Sequence, residues 1–284
     1  MKKRFFMCDP DHFDVLWKYD TNAWMNPDNK PNKELARSQW LALYEACKER
    51  AEVTVCPSAS GHPDQVFFAN AGLPYKKICV MSTFYEAPRR LETKPNMEFL
   101  RKFFGAGQLF LPRWETSGHF EGQGDAIWIN ENTLIVGYGI RTDMAGIERL
   151  ANIIRSSYQN DINVIPVEMK RQFDFYHLDT CCFWMEKSGT FLIYPKAFTE
   201  NGLRAMQNLG KVLAVSEDEA KQFVCNSVVV DDDTVFMPWL NDPVKEMVQE
   251  AGYKNVRAFP MSEFMKSGGA VKCLLLEHNF APKY

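Results

Sequence analysis

One pattern, repeated five times along 284 residues, constrains this chain more than any other feature. Each copy reads as a short strand, a helix, a second strand and a third strand beside a polar residue. In the first copy Phe5 to Cys8 opens. Asn32 then caps a helix carrying Leu35, Trp40, Leu41 and Tyr44 at helical spacing, and Val53 to Cys56 and Val66 to Ala69 read as strands. The second copy uses Ile78 to Ser82, a helix near Asn96 to Phe104, Leu109 to Leu111 and Ala126 to Ile129. The third has Leu134 to Val136, a helix near Ala145 to Ile154, Val164 to Val167 and His177 to Trp184. The fourth has Thr190 to Tyr194, a helix near Glu200 to Asn208, Val212 to Val215 and Phe223 to Val230. The fifth has Val235 to Met237, a helix over Asp242 to Ala251, Val256 to Phe259 and Lys272 to Glu277. Copies of roughly 50–60 residues signal an array of like supersecondary units, and an array of five can close on itself. The copies share a pattern and not an identity, so the competing expectation is a plain α/β sandwich without internal symmetry.

Closure has a functional consequence. Asn70, Glu121, His177, Asn226 and Cys273 hold comparable places in successive copies, at intervals of about 50 residues. In a closed array they converge on the axis and line one pocket.

Composition removes several function classes. At 46% hydrophobic the chain can bury a large core, and its net charge of −3 comes from interspersed charges. No basic stripe is long enough to track phosphates, so nucleic acid is not an expected partner. Eight irregularly spaced cysteines, two of them adjacent at Cys181 and Cys182, read as reduced thiols of a cytoplasmic protein. No CxxC occurs and the five histidines are scattered, so neither a metal nor another cofactor is expected. No segment approaches a membrane span, and the apolar run at the N-terminus is too short for a signal peptide.

Two stretches carry chemistry. In Ser267-Gly-Gly-Ala-Val-Lys-Cys-Leu-Leu-Leu-Glu277 a glycine pair suits a loop whose backbone passes close to a ligand, and Cys273 stands where that loop feeds an apolar strand. A lone cysteine there is ordinarily a small core hydrophobe. Tyr176-His-Leu-Asp-Thr180 changes that balance. Read as a strand, it puts His177 and Asp179 on one face, an imidazole beside a carboxylate. A thiol, a histidine and acids from distant segments form a nucleophilic-catalysis hypothesis.

Six segments then bring a family into view. Met7-Cys-Asp-Pro-Asp-His-Phe-Asp14, Asn22-Ala-Trp-Met25, Phe67-Phe-Ala-Asn-Ala-Gly-Leu73, Phe120-Glu-Gly-Gln-Gly-Asp-Ala126, Tyr176-His-Leu-Asp-Thr180 and Gly268-Gly-Ala-Val-Lys-Cys273 resemble the guanidino-group-modifying superfamily. Its members are arginine deiminases, dimethylargininases and amidinotransferases, and the nearest likeness is to bacterial arginine dihydrolases. The resemblance runs nearly end to end. It implies an α/β fold, the five-bladed α/β propeller (pentein) of five pseudo-symmetric strand-helix-strand-strand units, with residues 1–284 as a single catalytic domain. It also implies Glu121 as a second acidic partner, contacting His177 or the substrate, and Arg141 as the residue for a substrate α-carboxylate. Asn70 stands where deiminases have aspartate, as in dihydrolases, and Asn22 is another dihydrolase-like feature, although Ala23 replaces the usual proline.

These residue types suit the reaction. A guanidinium carbon is a poor electrophile, so the site needs a strong nucleophile and a way to expel nitrogen as a neutral amine. Cys273 supplies a thiolate once neighbouring cations, the bound substrate included, lower its ordinary pKa of about 8.5. His177 protonates departing ammonia and deprotonates water. Asp179 pairs with the planar cation, and Asp125 is a weaker candidate that could merely close the Gly122-Gln-Gly124 turn. The expected function is hydrolysis of free L-arginine to ornithine, carbon dioxide and two ammonia. Rivals are a deiminase or dimethylargininase stopping at citrulline, an amidinotransferase, and a non-catalytic arginine sensor. Oligomeric state is not legible, and a homo-oligomer stays open.

Overall fold

The computed structural model describes residues 2–111, 118–158 and 162–278. Its strands form five three-stranded sheets, each with the same logic. A central strand pairs antiparallel with the strand before it and parallel with the strand that follows a helix. In the first sheet β1 (Arg4–Cys8) is central, beside β2 (Glu52–Cys56), and the second holds β3 (Gly72–Tyr75), β4 (Ile78–Met81) and β5 (Leu109–Phe110). The third holds β6 (Ala126–Asn130), β7 (Thr133–Tyr138) and β8 (Asn163–Glu168). The fourth holds β9 (Cys182–Met185), β10 (Thr190–Ile193) and β11 (Lys211–Ala214), and the fifth β12 (Val228–Asp231), β13 (Thr234–Met237) and β14 (Asn255–Ala258). The last strand, β15 (Leu276–Glu277), returns to the first sheet, where Phe5 faces Glu277 and Phe6 faces Leu276. The array closes into a five-bladed propeller. Each sheet combines the third strand of one sequence copy with the first two of the next, so blades and copies are offset.

The helices form for local reasons. α1 (Lys33–Arg50) begins where the Asn32 side chain accepts from Leu35 N and ends with Lys48 and Arg50 in its last turn, favourable for the helix dipole. α2 (Thr93–Phe104) and α3 (Met144–Tyr158) follow, and Thr199 and Asn241 cap α4 (Glu200–Gln207) and α5 (Asp242–Glu250). The buried stripe of α1 is Ala36, Trp40, Leu43 and Cys47; Leu35 and Leu41, expected on that face, are exposed. Apolar side chains fill the gaps between blades. Phe6 of β1, Met81 of β4 and Phe99 and Leu100 of α2 share one cluster, while Leu73, Leu134 and Ile147, Leu150 and Ile154 of α3 share another. Each such side chain contributes about 1.5–3 kcal/mol on burial. No helix among the described residues is long and apolar enough to cross a membrane.

Four expected third strands begin later than the sequence suggests. Val66 to Ala69 belongs to 3-10 turns at Pro63–Val66 and Phe68–Ala71. His177 precedes a single helical turn, Leu178–Cys181, so it and Asp179 do not alternate on a strand. Cys273 lies in the 3-10 turn Lys272–Leu274, and Phe223, with φ of +58°, sits in a turn before β12. The apolar runs looked like strands because a buried turn at the axis needs the same residue types.

Candidate active site

Those turns deliver the five polar side chains to one place. Asn70 Nδ2 donates to the Glu121 carbonyl oxygen at 3.2 Å, and His177 Nε2 lies 2.8 Å from Glu121 Oε2. Cys273 Sγ is 3.4 Å from Asp179 Oδ2 and accepts from Asn226 Nδ2 at 3.1 Å. All are almost completely buried. Close backbone approach makes glycine necessary around them. A Cβ on Gly124 would stand 2.2 Å from Asn70 Nδ2, and one on Gly269 would stand 2.3 Å from the Phe67 ring. The glycine pair is therefore a packing requirement of the loop before Cys273: it makes room for Phe67, Asn22 and Tyr176, where the sequence suggested room for a ligand.

A cavity beside the sulfur is lined by Cys273, Asn70, Asn22, Asp64, Arg89 and Arg141, with Tyr19 and Tyr176 among its walls. Arg141 is buried and not a surface arginine. Its Nη1 donates to Glu121 Oε2 at 3.2 Å, its Nε donates to Thr21 Oγ1 at 2.5 Å, and its guanidinium stacks 4.9 Å from the Tyr176 ring centre. Asn22 Nδ2 donates to the Ser267 carbonyl at 3.0 Å, tying the N-terminal loop to the cysteine loop. Asp125 is absent from the cavity walls, as are Glu121, His177 and Asp179. The Asp125 oxygens accept from Thr142 Oγ1 at 2.7 Å and Leu178 N at 3.1 Å, which makes it a brace for the turn after His177. The alternative foreseen for it, closure of its own glycine turn, is replaced by this longer reach.

Three side chains of the site escaped sequence reasoning. Arg89 clasps Glu92 through two hydrogen bonds of 2.9 and 3.0 Å and donates to Asn70 Oδ1 at 3.2 Å. Asp64 accepts from Tyr19 Oη at 2.7 Å and Ser267 Oγ at 3.2 Å. Asp64, Arg89 and Glu92 stand in turns without periodicity. They lie in polar segments, His62-Pro-Asp-Gln65 and Glu86-Ala-Pro-Arg-Arg-Leu-Glu-Thr93, and nothing in the sequence marks them as buried.

The electrostatics are those of a site short of positive charge. Asp64, Glu92, Glu121, Asp125 and Asp179 are buried carboxyls, against Arg89 and Arg141 as buried guanidiniums. Burial pushes Asp179 up to about 7, opposed by Lys272 and by hydrogen bonds from Cys273 and Asn226. Its Oδ1 is buried with no hydrogen-bond partner among the described residues. Burial also pushes Glu92 up to about 7 and Asp125 up to about 6. Glu121 goes the other way. Burial would raise it, but Arg141 and His177 hold it well below the usual carboxylate range. The Cys273 thiol is pushed up by burial and by Asp179, and no cationic side chain among the described residues bonds its sulfur. Of the neighbouring cations expected from the sequence, Lys272 acts on the thiol through its charge, while the side chains that touch the sulfur are an acid and an amide.

A fivefold closed array with a thiol, an imidazole and carboxyls at its axis is the arrangement the six segments implied. The family model described as "N,N dimethylarginine dimethylhydrolase, eukaryotic" matches residues 13–280. The chain belongs to that family. Within the wider guanidino-modifying superfamily, it is 36% identical over 278 residues to the bifunctional arginine dihydrolase/ornithine cyclodeaminase ArgZ of Synechocystis sp.. That match covers 96% of this chain and 37% of the relative, so this chain spans little more than a third of that protein's length. A dimethylarginine dimethylaminohydrolase of Mycobacterium tuberculosis is 29% identical over 278 residues, with 97% of this chain and 85% of the relative covered. Among solved structures, the N-terminal domain of ArgZ, a cyanobacterial arginine dihydrolase bound to product, superposes with a TM-score of 0.88 at 33% identity, covering 99% of this chain and all of that one.

Proposed function

We propose that this family member is a cysteine-dependent arginine dihydrolase, one catalytic domain that takes free L-arginine to ornithine, carbon dioxide and two ammonia. The observation that carries the reading is Asp179, whose buried carboxylate touches the Cys273 sulfur with one oxygen and leaves the other without a partner. A guanidinium pairing with that oxygen sets its carbon against the sulfur and replaces the missing positive charge. The substrate itself then lowers the thiol pKa.

Cys273 attacks the guanidinium carbon, and His177 gives its proton to the departing nitrogen, which leaves as ammonia. His177 next takes a proton from water, which adds to the S-alkylthiouronium carbon. The C–S bond breaks with its electron pair returning to sulfur, leaving a ureido group. Glu121, kept ionised by Arg141, orients His177 and stabilises its protonated form. Arg141, whose Nη2 has no hydrogen-bond partner among the described residues, receives the α-carboxylate, and Asp64 accepts from the α-ammonium. Asn70 favours a second round. Its amide tolerates a neutral ureido group, which a carboxylate in its place would repel. Sulfur then attacks the ureido carbon, the second ammonia leaves, and hydrolysis of the thiocarbamate yields a carbamate that loses carbon dioxide. Eight free, buried thiols support a cytoplasmic setting.

The deciding experiment is incubation with arginine, and separately with dimethylarginine, followed by product identification. Ornithine from arginine is expected, with none from Cys273→Ser. Citrulline alone would make the chain a deiminase, and turnover confined to dimethylarginine would make it a dimethylargininase. Transfer of the amidino group to added glycine would replace hydrolysis with amidinotransfer.

A further inference from the structure

The axial residue left without a task is Asn226, fully buried in the turn before β12. Every polar atom it has is engaged. Its N donates to Phe223 O at 2.7 Å and its O accepts from Lys272 N at 3.1 Å. Its Oδ1 accepts from Cys273 N at 3.2 Å, and its Nδ2 donates to Asp179 O and to Cys273 Sγ, both at 3.1 Å. These partners decide which way the amide faces. Turned over, it would set Nδ2 against the Cys273 N–H and Oδ1 against the Asp179 carbonyl, so the N–H must point at sulfur.

Sulfur has one other side-chain partner among the described residues, the Asp179 carboxyl, which repels negative charge. We propose, building on the dihydrolase reading, that Asn226 is a catalytic residue whose Nδ2–H stabilises the Cys273 thiolate, and that the second hydrolysis depends on it more than the first. In the first round the guanidinium brings its own positive charge to the sulfur. The ureido group of the second round brings none. Formation of the S–C bond then draws on a thiolate held by the amide together with the Ala270 backbone, and when the thiocarbamate breaks, the electron pair returns to a sulfur facing the same N–H. Loss of a hydrogen bond to a charged group lowers the population of the thiolate by about 10- to 100-fold.

The test uses Asn226→Ala and Asn226→Asp in the full chain. The second variant is isosteric, keeps the acceptor for Cys273 N and sets an oxygen against sulfur, so it serves if the alanine variant does not fold. Iodoacetamide labelling of the Cys273 peptide is followed by mass spectrometry across pH, with no arginine present. Both variants should need a higher pH for half-maximal labelling, by at least one unit, and the aspartate variant by more. With arginine, the ratio of ornithine to citrulline should fall at least tenfold, while the rate of arginine loss falls less. An unchanged labelling profile in the folded aspartate variant overturns the role of Asn226. If wild type makes no ornithine, the dihydrolase reading falls instead, and the labelling profile alone still decides whether Asn226 holds the thiolate.

Discussion

On the dihydrolase reading, Asn70 and Asp179 divide the work of recognising a group that changes charge between two reactions. Asn70→Asp should hold guanidinium at least as well and the ureido group poorly, because a carboxylate and a ureido oxygen are two acceptors in contact. A mismatch of that kind costs about 1–3 kcal/mol, or roughly 5- to 150-fold in partitioning. The variant should release citrulline in place of most of its ornithine, as chromatography of the products will show; an unaltered ratio with a lower rate would leave Asn70 as a positioning residue. Asp179 adds a pH dependence. Its folded pKa of about 7 lies above the ordinary 3.8, so its contribution to stability is present below that ordinary value and is lost as pH rises through about 7. Glu92 acts in the same direction. The empty Cys273→Ser protein should therefore melt at a lower temperature at pH 8 than at about pH 5.5, while its affinity for arginine rises over the same interval. Adding Asp179→Asn should flatten the affinity curve in calorimetry.

At the scale of elements, the turns before the third strands decide whether the site exists. Cys273, His177 and Glu121 were legible because their segments pair a chemical residue with glycines or a second polar group. The turns themselves were not. Leu178–Cys181 and Lys272–Leu274 are apolar and short, and a buried helical turn cannot be told from a strand by period alone. Asp64 and Arg89 were missed because they act through folding partners distant in sequence. The Gly268–Gly269 loop offers the sharpest test. Gly268 has φ of +79°, and a Cβ there would lie 2.8 Å from Asn22 Oδ1. Gly268→Ala should lower kcat/KM by about 100-fold with a loss of about 1–3 kcal/mol in stability. Denaturant titration beside steady-state kinetics would show whether both fall.

For the whole molecule, the five-part rhythm was legible and its phase was not. Sequence copies run from strand to strand, but hydrogen bonding joins the end of each to the start of the next, and local patterns carry no record of such pairing. The most slender of these joints is the last, where β15 meets β1 through two facing residue pairs, against four between β3 and β4. Deleting everything after Leu275 should open the ring. Arginine turnover should vanish, and Cys273 should become reactive toward alkylating agents in the folded remainder. A truncated chain that still produced ornithine would show that the seam is dispensable.

Cys273 lies three positions before that seam, and the side-chain partners of its sulfur, Asp179 and Asn226, both precede it in the chain. The proposed nucleophile thus follows the acids and the imidazole in the chain, and the strand just after it, β15, makes the pairing that closes the ring. On the dihydrolase reading, a polypeptide still growing toward Cys273 carries the acids and the imidazole but not the thiol that attacks arginine. On the same reading, cleavage that removes β15 silences turnover, so activity reports an intact seam.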